Sequence, residues 1–296
     1  MSVKLRPPTP EDVEPCARIL YEAFDDIAIR HGFPPDFESL KQARFLIGML
    51  VDAAVNGRGV FGVVAELDGR IAGSNFLTEA DPIAGVGPIT VDPALQGRGT
   101  GRDLMQAVIE RARDAVGIRL VQDAFNSRSL SLYASLGFEV KEPLVMMKGR
   151  PNSAENGPQH SSIIVRPMQN EDLSGCVALC RLLHRFDRAS ELQHRGPLTQ
   201  PWVAVREGRI TAYATALHFW PLNHGVAESE DDMQALLVGF AAAQPQPVWF
   251  LLPTRQASFF RWCLREGLRV IKPMTLMAMR EYQEPHDGCW FPSVMY

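Results

Sequence analysis

Gln96-Gly97-Arg98-Gly99-Thr100-Gly101 is the stretch of this chain whose residue types and spacing can do chemistry. It follows an apolar run, Ile89-Thr90-Val91, and leads into Asp103-Leu104-Met105-Gln106-Ala107-Val108-Ile109, whose apolar residues recur at helical spacing. Glycines at a strand-to-helix turn let successive backbone N–H groups converge on one point without Cβ obstruction. The helix that follows adds its positive N-terminal end, so the turn is built to hold an anion such as a pyrophosphate. Arg98 and Arg102 add two formal charges beside it. The dinucleotide fingerprint G-x-G-x-x-G fails because position 102 is Arg, and the Gly-Lys-Ser/Thr ending of a P-loop is absent. The spacing that fits is Q-x-x-G-x-G.

A second signal lies downstream. Ile118-Arg119-Leu120-Val121 reads as a buried strand, and Asn126-Ser127-Arg128-Ser129-Leu130-Ser131-Leu132-Tyr133-Ala134-Ser135-Leu136-Gly137-Phe138 follows it. Gly137 suits the residue just past a helix, with Phe138 re-entering the core. Leu132 and Leu136 share a helix face. Asn126, just before the helix, can cap it or bond a ligand amide.

In this order and on these elements, the two motifs resemble those of the GCN5-related N-acetyltransferase (GNAT) superfamily. The glycine turn resembles its acyl-coenzyme A loop, and Asn126, the Leu-Tyr helix and Leu-Gly-Phe resemble its other signature. The resemblance implies acetyl-coenzyme A as co-substrate, held by Gln96, Gly97, Arg98, Gly99, Thr100, Gly101 and Arg102, with Asn126, Ser129 and Tyr133 as further contacts. It places the pantetheine arm along the strand ending at Val91, between splayed strands. The backbone N–H of Ile89 or Val91 then polarises the thioester carbonyl. It also puts Tyr133 at the family's usual position for protonating the departing thiolate, although a phenol of pKa ~10 needs geometric help to do so.

An attacking alkyl amine is mostly protonated at neutral pH, so a base or water chain must remove a proton. Many relatives carry an acid in the strand before the cradle, whereas Gly85-Val86-Gly87-Pro88 offers no ionisable side chain. Glu79, Asp81 and Asp123 lie near strand ends, and Tyr21, Glu22 and His31 near the end of the first helix. A docked carboxylate at Tyr296 is a further alternative. The two glycines leave space for a bulky acceptor.

The surrounding sequence supplies the elements that must position these groups. Lys4-Leu5-Arg6-Pro7 reads as a short strand, and Thr9-Pro10-Glu11-Asp12 as a helix start. Ile19, Leu20, Ala23 and Phe24 continue that helix, and residues 37–55 form a second with Leu40, Ala43, Leu46, Ile47 and Leu50 in register. Residues 60–66 and 71–77 are strands around the hairpin pair Asp68-Gly69. A third strand over 85–91 contains Pro88, which predicts a bulge or a strand parting from its neighbour.

At 296 residues the chain is about twice one such domain. Leu5-Arg6-Pro7, Glu11-Asp12-Val13 and Cys16 recur 160 residues later as Val165-Arg166-Pro167, Glu171-Asp172-Leu173 and Cys176. Val64-Ala65 and Gly69-Arg70-Ile71 recur as Val203-Ala204 and Gly208-Arg209-Ile210, and Gly137, Val140 and Pro143 as Gly267, Val270 and Pro273. The expectation is an α/β (α+β) chain of two tandem GNAT-like domains, each a splayed, mainly antiparallel sheet flanked by helices. Residues 1–150 form the catalytic copy, 151–162 a polar linker, 163–283 a degenerate copy and 284–296 an apolar tail that docks on the protein. Where the first copy has its glycines, the second has Glu228, Glu230, Asp231 and Asp232, which repel a pyrophosphate. Gln256 stands where Asn126 is, and Cys263 where Tyr133 is. Trp220, His218 and His224 read either as a pocket wall or as core and loop residues.

Apolar residues at 46% and charged ones at 22% are ordinary for a globular protein, and a net charge of −4 gives no drive toward nucleic acid. No apolar run approaches the ~18 residues that span a bilayer and no signal peptide is read, so a cytoplasmic protein is expected. Five cysteines without C-x-x-C read as buried thiols, and seven histidines without metal-binding spacing imply no metal. A monomer or homodimer is equally compatible. Three readings follow. The first is transfer of acetyl to a primary amine of a small molecule or peptide. The second is a non-catalytic acyl-coenzyme A sensor. The third resembles the tandem mycothiol synthases, in which the working site lies in the second half.

Overall fold

Asp68 and Gly69 adopt φ of 50° and 76°, the left-handed pair a two-residue hairpin requires, so β2 (Val60–Leu67) folds straight back as β3 (Arg70–Thr78). The computed structural model, which describes residues 3–156, 162–193 and 199–295, builds the chain from such local devices used twice. Glu207 and Gly208, at φ of 53° and 75°, repeat the hairpin between β9 (Trp202–Arg206) and β10 (Arg209–Ala214).

A second repeated device begins each copy. In β1 (Lys4–Arg6) the Arg6 guanidinium donates twice to Asp12, at 2.7 and 2.8 Å, and Asp12 also accepts from the Thr9 amide at 2.7 Å. In β8 (Ile163–Pro167) Arg166 grips Asp172 at 2.6 and 2.9 Å, and Asp172 accepts from the Gln169 amide at 2.7 Å. Each clamp turns the chain from a strand into a helix. Arg6 sits opposite Val64 and Arg166 opposite Val203, so the sequence repeat is also a repeat of strand register.

The described chain divides into two compact units, residues up to Glu139 with Ala278–Glu281, and Val140–Met277 with the chain from Tyr282 onward. The first contains α1 (Val13–His31), α2 (Leu40–Val55), β4 (Ile83–Val86), β5 (Thr90–Val91), α3 (Thr100–Arg111), β6 (Gly117–Asp123) and α4 (Ser127–Ser135). Ile19, Leu20, Ala43, Leu46, Ile47 and Leu50 are buried along α1 and α2; Ala23 and Phe24 are half-buried. Helix α2 starts at Leu40 rather than Phe37 because Ser39 holds the extended conformation of a cap, at φ −162°. The sheet runs β1-β2-β3-β4-β6. It is antiparallel except for β4 and β6, which pair in parallel from Ile83↔Gly117 to Gly85↔Arg119.

Beyond Gly85 that pairing stops. The expected single strand over 85–91 is two, separated by Gly87, at φ +140°, and Pro88, which has no N–H for a ladder. β5 stays with β3, Gly73 facing Val91 and Ser74 facing Thr90. A Cβ at Gly73 would stand 2.4 Å from the Thr90 carbonyl oxygen, so only glycine allows this approach.

The second unit holds β7 (Glu139–Gly149), α5 (Leu173–His184), α6 (Ala189–Gln193), β11 (Gly225–Ala227), α7 (Glu230–Ala243), β12 (Val248–Pro253), α8 (Ala257–Arg265), β13 (Arg269–Arg280) and β14 (Cys289–Phe291). One sheet runs β14-β11-β10-β9-β8, and β7 pairs antiparallel with β12, with Leu144 opposite Pro253. The expected boundary at 150 therefore differs from the compact units. The strand after α4 lies in the second unit, where Met147 joins the core, and the last residues of β13 lie in the first. The start of the expected linker is ordered. Ser153 donates from its amide and hydroxyl to Glu266, at 2.8 and 2.9 Å; residues 157–161 of that linker lie outside the described residues.

All five cysteines are free and buried. Burial pushes the Cys16 and Cys176 thiols up from 9.0 to about 12, and Cys180 up to about 11. Below pH 9.0 these thiols keep their protons in folded and unfolded chains alike; above it the unfolded chain ionises first. The urea midpoint is accordingly expected to be level between about pH 7.5 and 9.0 and to fall as pH rises toward about 11 to 12, with a shallower fall in Cys16→Ala.

Candidate active site

The site forms where β5 parts from β6. Among the described residues β5 pairs only with β3, so its other edge carries no strand. Ile89 and Val91 are half-buried there, and Thr90 is buried with no hydrogen-bond partner for its hydroxyl among the described residues.

Next along the chain comes the glycine turn. Gly97 and Gly99 take φ of 84° and 93°, and a Cβ at either would meet no atom within 4 Å, so the glycines serve backbone conformation and an open face. The first hydrogen bonds of α3 come from the Arg102 and Asp103 amides to Gly99 O, at 2.8 and 3.1 Å; the amides before them precede the ladder. Thr100 is buried at the helix start. A Cβ at Gly101 would touch Leu132 and Val91, at 3.5 and 3.7 Å, so α3, α4 and β5 converge here.

Side chains fix this geometry from both sides. Gln96 donates to Val91 O at 3.3 Å and accepts from Arg128 at 2.7 Å, spanning from the end of β5 to the start of α4. Arg102 donates to Ser135 at 2.8 Å, and Arg98 is exposed. Arg128 is therefore a guanidinium at the turn that the motif alone did not single out.

On α4, Asn126 caps the helix, its side-chain oxygen accepting from the Ser129 amide at 3.2 Å, which leaves its amide NH₂ to donate elsewhere. Ser129 donates to the Gln122 side-chain oxygen at 2.7 Å. That bond orients the Gln122 amide, whose nitrogen is buried with no partner among the described residues. Gln122 was missed because its β-strand position looks like core.

Tyr133 is buried to 7% exposure, its ring edge-on to Phe138. Burial, and then the negative charge of Asp123, push its phenol well above the usual range, so it stays protonated. Asp123 is itself buried at the end of β6. The other candidate bases lie elsewhere in the unit. Glu79 is held by Arg111 at 2.7 and 2.8 Å, and Asp81 is half-buried before β4. Tyr21 and Glu22 lie on α1. His31 packs on Phe125, which stacks on Phe33 at 4.3 Å. Tyr296 is outside the described residues.

The second copy's counterpart is different in kind. Ser229 caps α7, accepting from the Asp232 amide at 3.2 Å, and Arg206 and Arg209 hold Glu228. Trp220 and His224 are buried within the second unit, and His218 stacks on Phe240. Burial, reinforced by Arg188, keeps His224 far below the ordinary histidine range and hence neutral.

Residues 19–138 match the acetyltransferase (GNAT) family model. Over that stretch the chain is similar to a GNAT domain. A mycothiol acetyltransferase of Thermomonospora curvata is 37% identical over 91 residues, which is 30% of this chain and 31% of that relative. The match thus spans under a third of either protein. A crystal structure from Pyrococcus horikoshii, described as a proposed acetyltransferase, is similar over 99% of this chain and 94% of its own, with a TM-score of 0.73 at 17% identity. A GCN5-related N-acetyltransferase from Sphaerobacter thermophilus is similar over 95% and 97%, with a TM-score of 0.60 at 16% identity. These likenesses establish the fold across both copies. Among the described residues no helix is long and apolar enough to cross a membrane, and no group of three or more His, Cys, Asp or Glu is placed to hold a metal.

Asn126→Asp keeps the capping oxygen and loses the amide donor, whereas Asn126→Ala loses both. Urea unfolding is expected to place Asp within about 0.5 kcal/mol of wild type and Ala about 1 kcal/mol below it. Both are expected to bind coenzyme A more weakly; normal binding by Asn126→Asp in calorimetry would reduce the residue to a cap.

Proposed function

We propose that the GNAT half transfers the acetyl group of acetyl-coenzyme A to a primary amine of a small molecule or peptide by direct attack. The observation that carries this reading is the convergence of an open glycine turn, a strand edge with no strand partner among the described residues, and a protonated, buried tyrosine in one unit. The residues present fit that co-substrate. The backbone amides of residues 96–101 and the nearby Arg98 and Arg128 suit a pyrophosphate. The β5 edge, the Asn126 amide and the orphan Gln122 nitrogen suit an extended arm that carries amide groups.

Acetyl-coenzyme A supplies an activated acyl carbon. The N–H of Ile89 or Val91 steadies the negative charge that develops on the acyl oxygen. As the amine nitrogen bonds to that carbon and the carbon–sulfur bond breaks, Tyr133 donates its proton to the leaving sulfur. Asp123, the carboxylate whose charge acts on Tyr133, is the base we assign to the amine's proton, through water where the acceptor stands off. His31, Phe33 and Phe125 offer an aromatic wall for the acceptor's carbon frame.

The likeness to mycothiol acetyltransferases favours a second reading, transfer to the amine of a mycothiol-type precursor. The acids at the second copy's turn, with Gln256 and Cys263 in place of Asn126 and Tyr133, support the first half as the working half in either case.

Calorimetry with acetyl-coenzyme A is expected to give one site per chain, weakened at least about 100-fold in Gly99→Glu. That substitution forces a left-handed backbone on glutamate and brings a carboxylate into the cradle. With an accepted amine, Tyr133→Phe is expected to lower kcat by about 100-fold or more with KM for acetyl-coenzyme A little changed. Binding without turnover on any amine would leave a sensor, and no binding would end the cofactor assignment.

A further inference from the structure

The second copy contains the same parting of strands as the first, and the chain itself fills it. Val91 faces Gly73 in the first copy; Ala227 faces Ala212 in the second. With the hairpins aligned, Gly73 matches Ala212, so β11 is the counterpart of β5 and Gly225 that of Ile89. On the edge of β11 away from β10 lies β14, antiparallel, with Gly225 facing Phe291, Val226 facing Trp290 and Ala227 facing Cys289. This is the edge that β5 leaves without a strand among the described residues.

Gln256 closes the comparison. It precedes α8 as Asn126 precedes α4. Its side-chain nitrogen donates to Trp290 O at 2.6 Å, and its oxygen accepts from the Trp290 amide at 3.0 Å. It thus grips both polar groups of one tail residue. The tail's side chains are fitted as closely. A Cβ at Gly225 would stand 2.2 Å from the Phe291 ring, so the second copy has lost the Ile89 side chain where the tail needs room. Cys289, Trp290 and Phe291 are all buried, and Ser293 accepts from Arg188 at 3.1 Å.

We infer that residues 289–291 are an intrachain surrogate for the cofactor arm, occupying in the second copy the groove that the first copy offers to the pantetheine of acetyl-coenzyme A. The inference rests on the cofactor assignment proposed above. Its content is a ligand class for the second groove, an extended chain bearing amides, and a reason the second copy takes no cofactor while the tail is seated. The same contacts describe the first site in reverse: the arm there pairs with β5 and is held by Asn126.

Cys289 reports on the tail in the full-length protein. Thiol labelling with peptide mapping is expected to find Cys289 slow in wild type and at least about tenfold faster in Gln256→Ala, which loses both bonds to Trp290. N-ethylpantothenamide carries the arm's amides and no thiol. Added to Phe291→Ala, which loosens the tail and leaves Gln256 in place, it is expected to raise Cys289 labelling further and saturably while Cys16 labelling stays unchanged. A Cys289 rate indifferent to the pantothenamide overturns the surrogate, as does a Cys16 rate that rises in parallel, because the tail would then be released only by general unfolding. Acetyl-coenzyme A binding measured on the same wild-type sample tells this failure from failure of the cofactor assignment, since the surrogate can fall while one-site binding stands.

Discussion

A β-strand carries a row of N–H and C=O groups on each edge, and a strand buried in protein must find partners for both rows. That demand organises this molecule. β4 meets it by pairing with β3 and β6, but Gly87 and Pro88 carry the chain out of the ladder, and β5 emerges paired on one side. The glycine turn and the cap of α4 are arranged around that half-satisfied strand. In the second unit β14 meets the same demand on β11. One fold, used twice, thus arrives at two solutions to one hydrogen-bonding problem.

Around that edge the electrostatics are graded. Backbone amides and guanidiniums collect at the glycine turn, where Arg128 and Arg102 also hold side chains in place. Farther along the groove Tyr133 and Asp123 are both buried, and their proximity favours the protonated phenol. The arrangement suits an anion at one end and proton movement at the other.

Much of this could be read from residue types. The glycine turn, Asn126 as a cap, Gly137 past its helix and the Asp68-Gly69 hairpin depend on local backbone chemistry, which sequence reports directly. The repeat was equally legible, because Arg6–Asp12 and Arg166–Asp172 are contacts between residues six positions apart. What sequence did not report depends on which side chains and strands meet once the chain is folded. Gln122 looks like any polar residue in a strand until Ser129 orients it. Met146 and Met147 announce a buried strand without saying which sheet it joins, and β7 joins the second unit. The apolar tail was read as docking; its strand partner on β11 was not, since a three-residue strand carries no register of its own.

The membership of the compact units has a consequence during synthesis. The first unit leaves the ribosome first, yet it includes Ala278–Glu281. Its cradle, helices and hairpin can form early, but its full set of strands waits until translation has passed residue 281. Over that interval the nascent unit carries an uncovered sheet edge, the kind of surface that chaperones bind and that mispairs in crowded solution. The polar stretch between the copies resembles a seam where the gene could be divided. A division there would leave the first product without residues 278–281 and with a strand that belongs to the second.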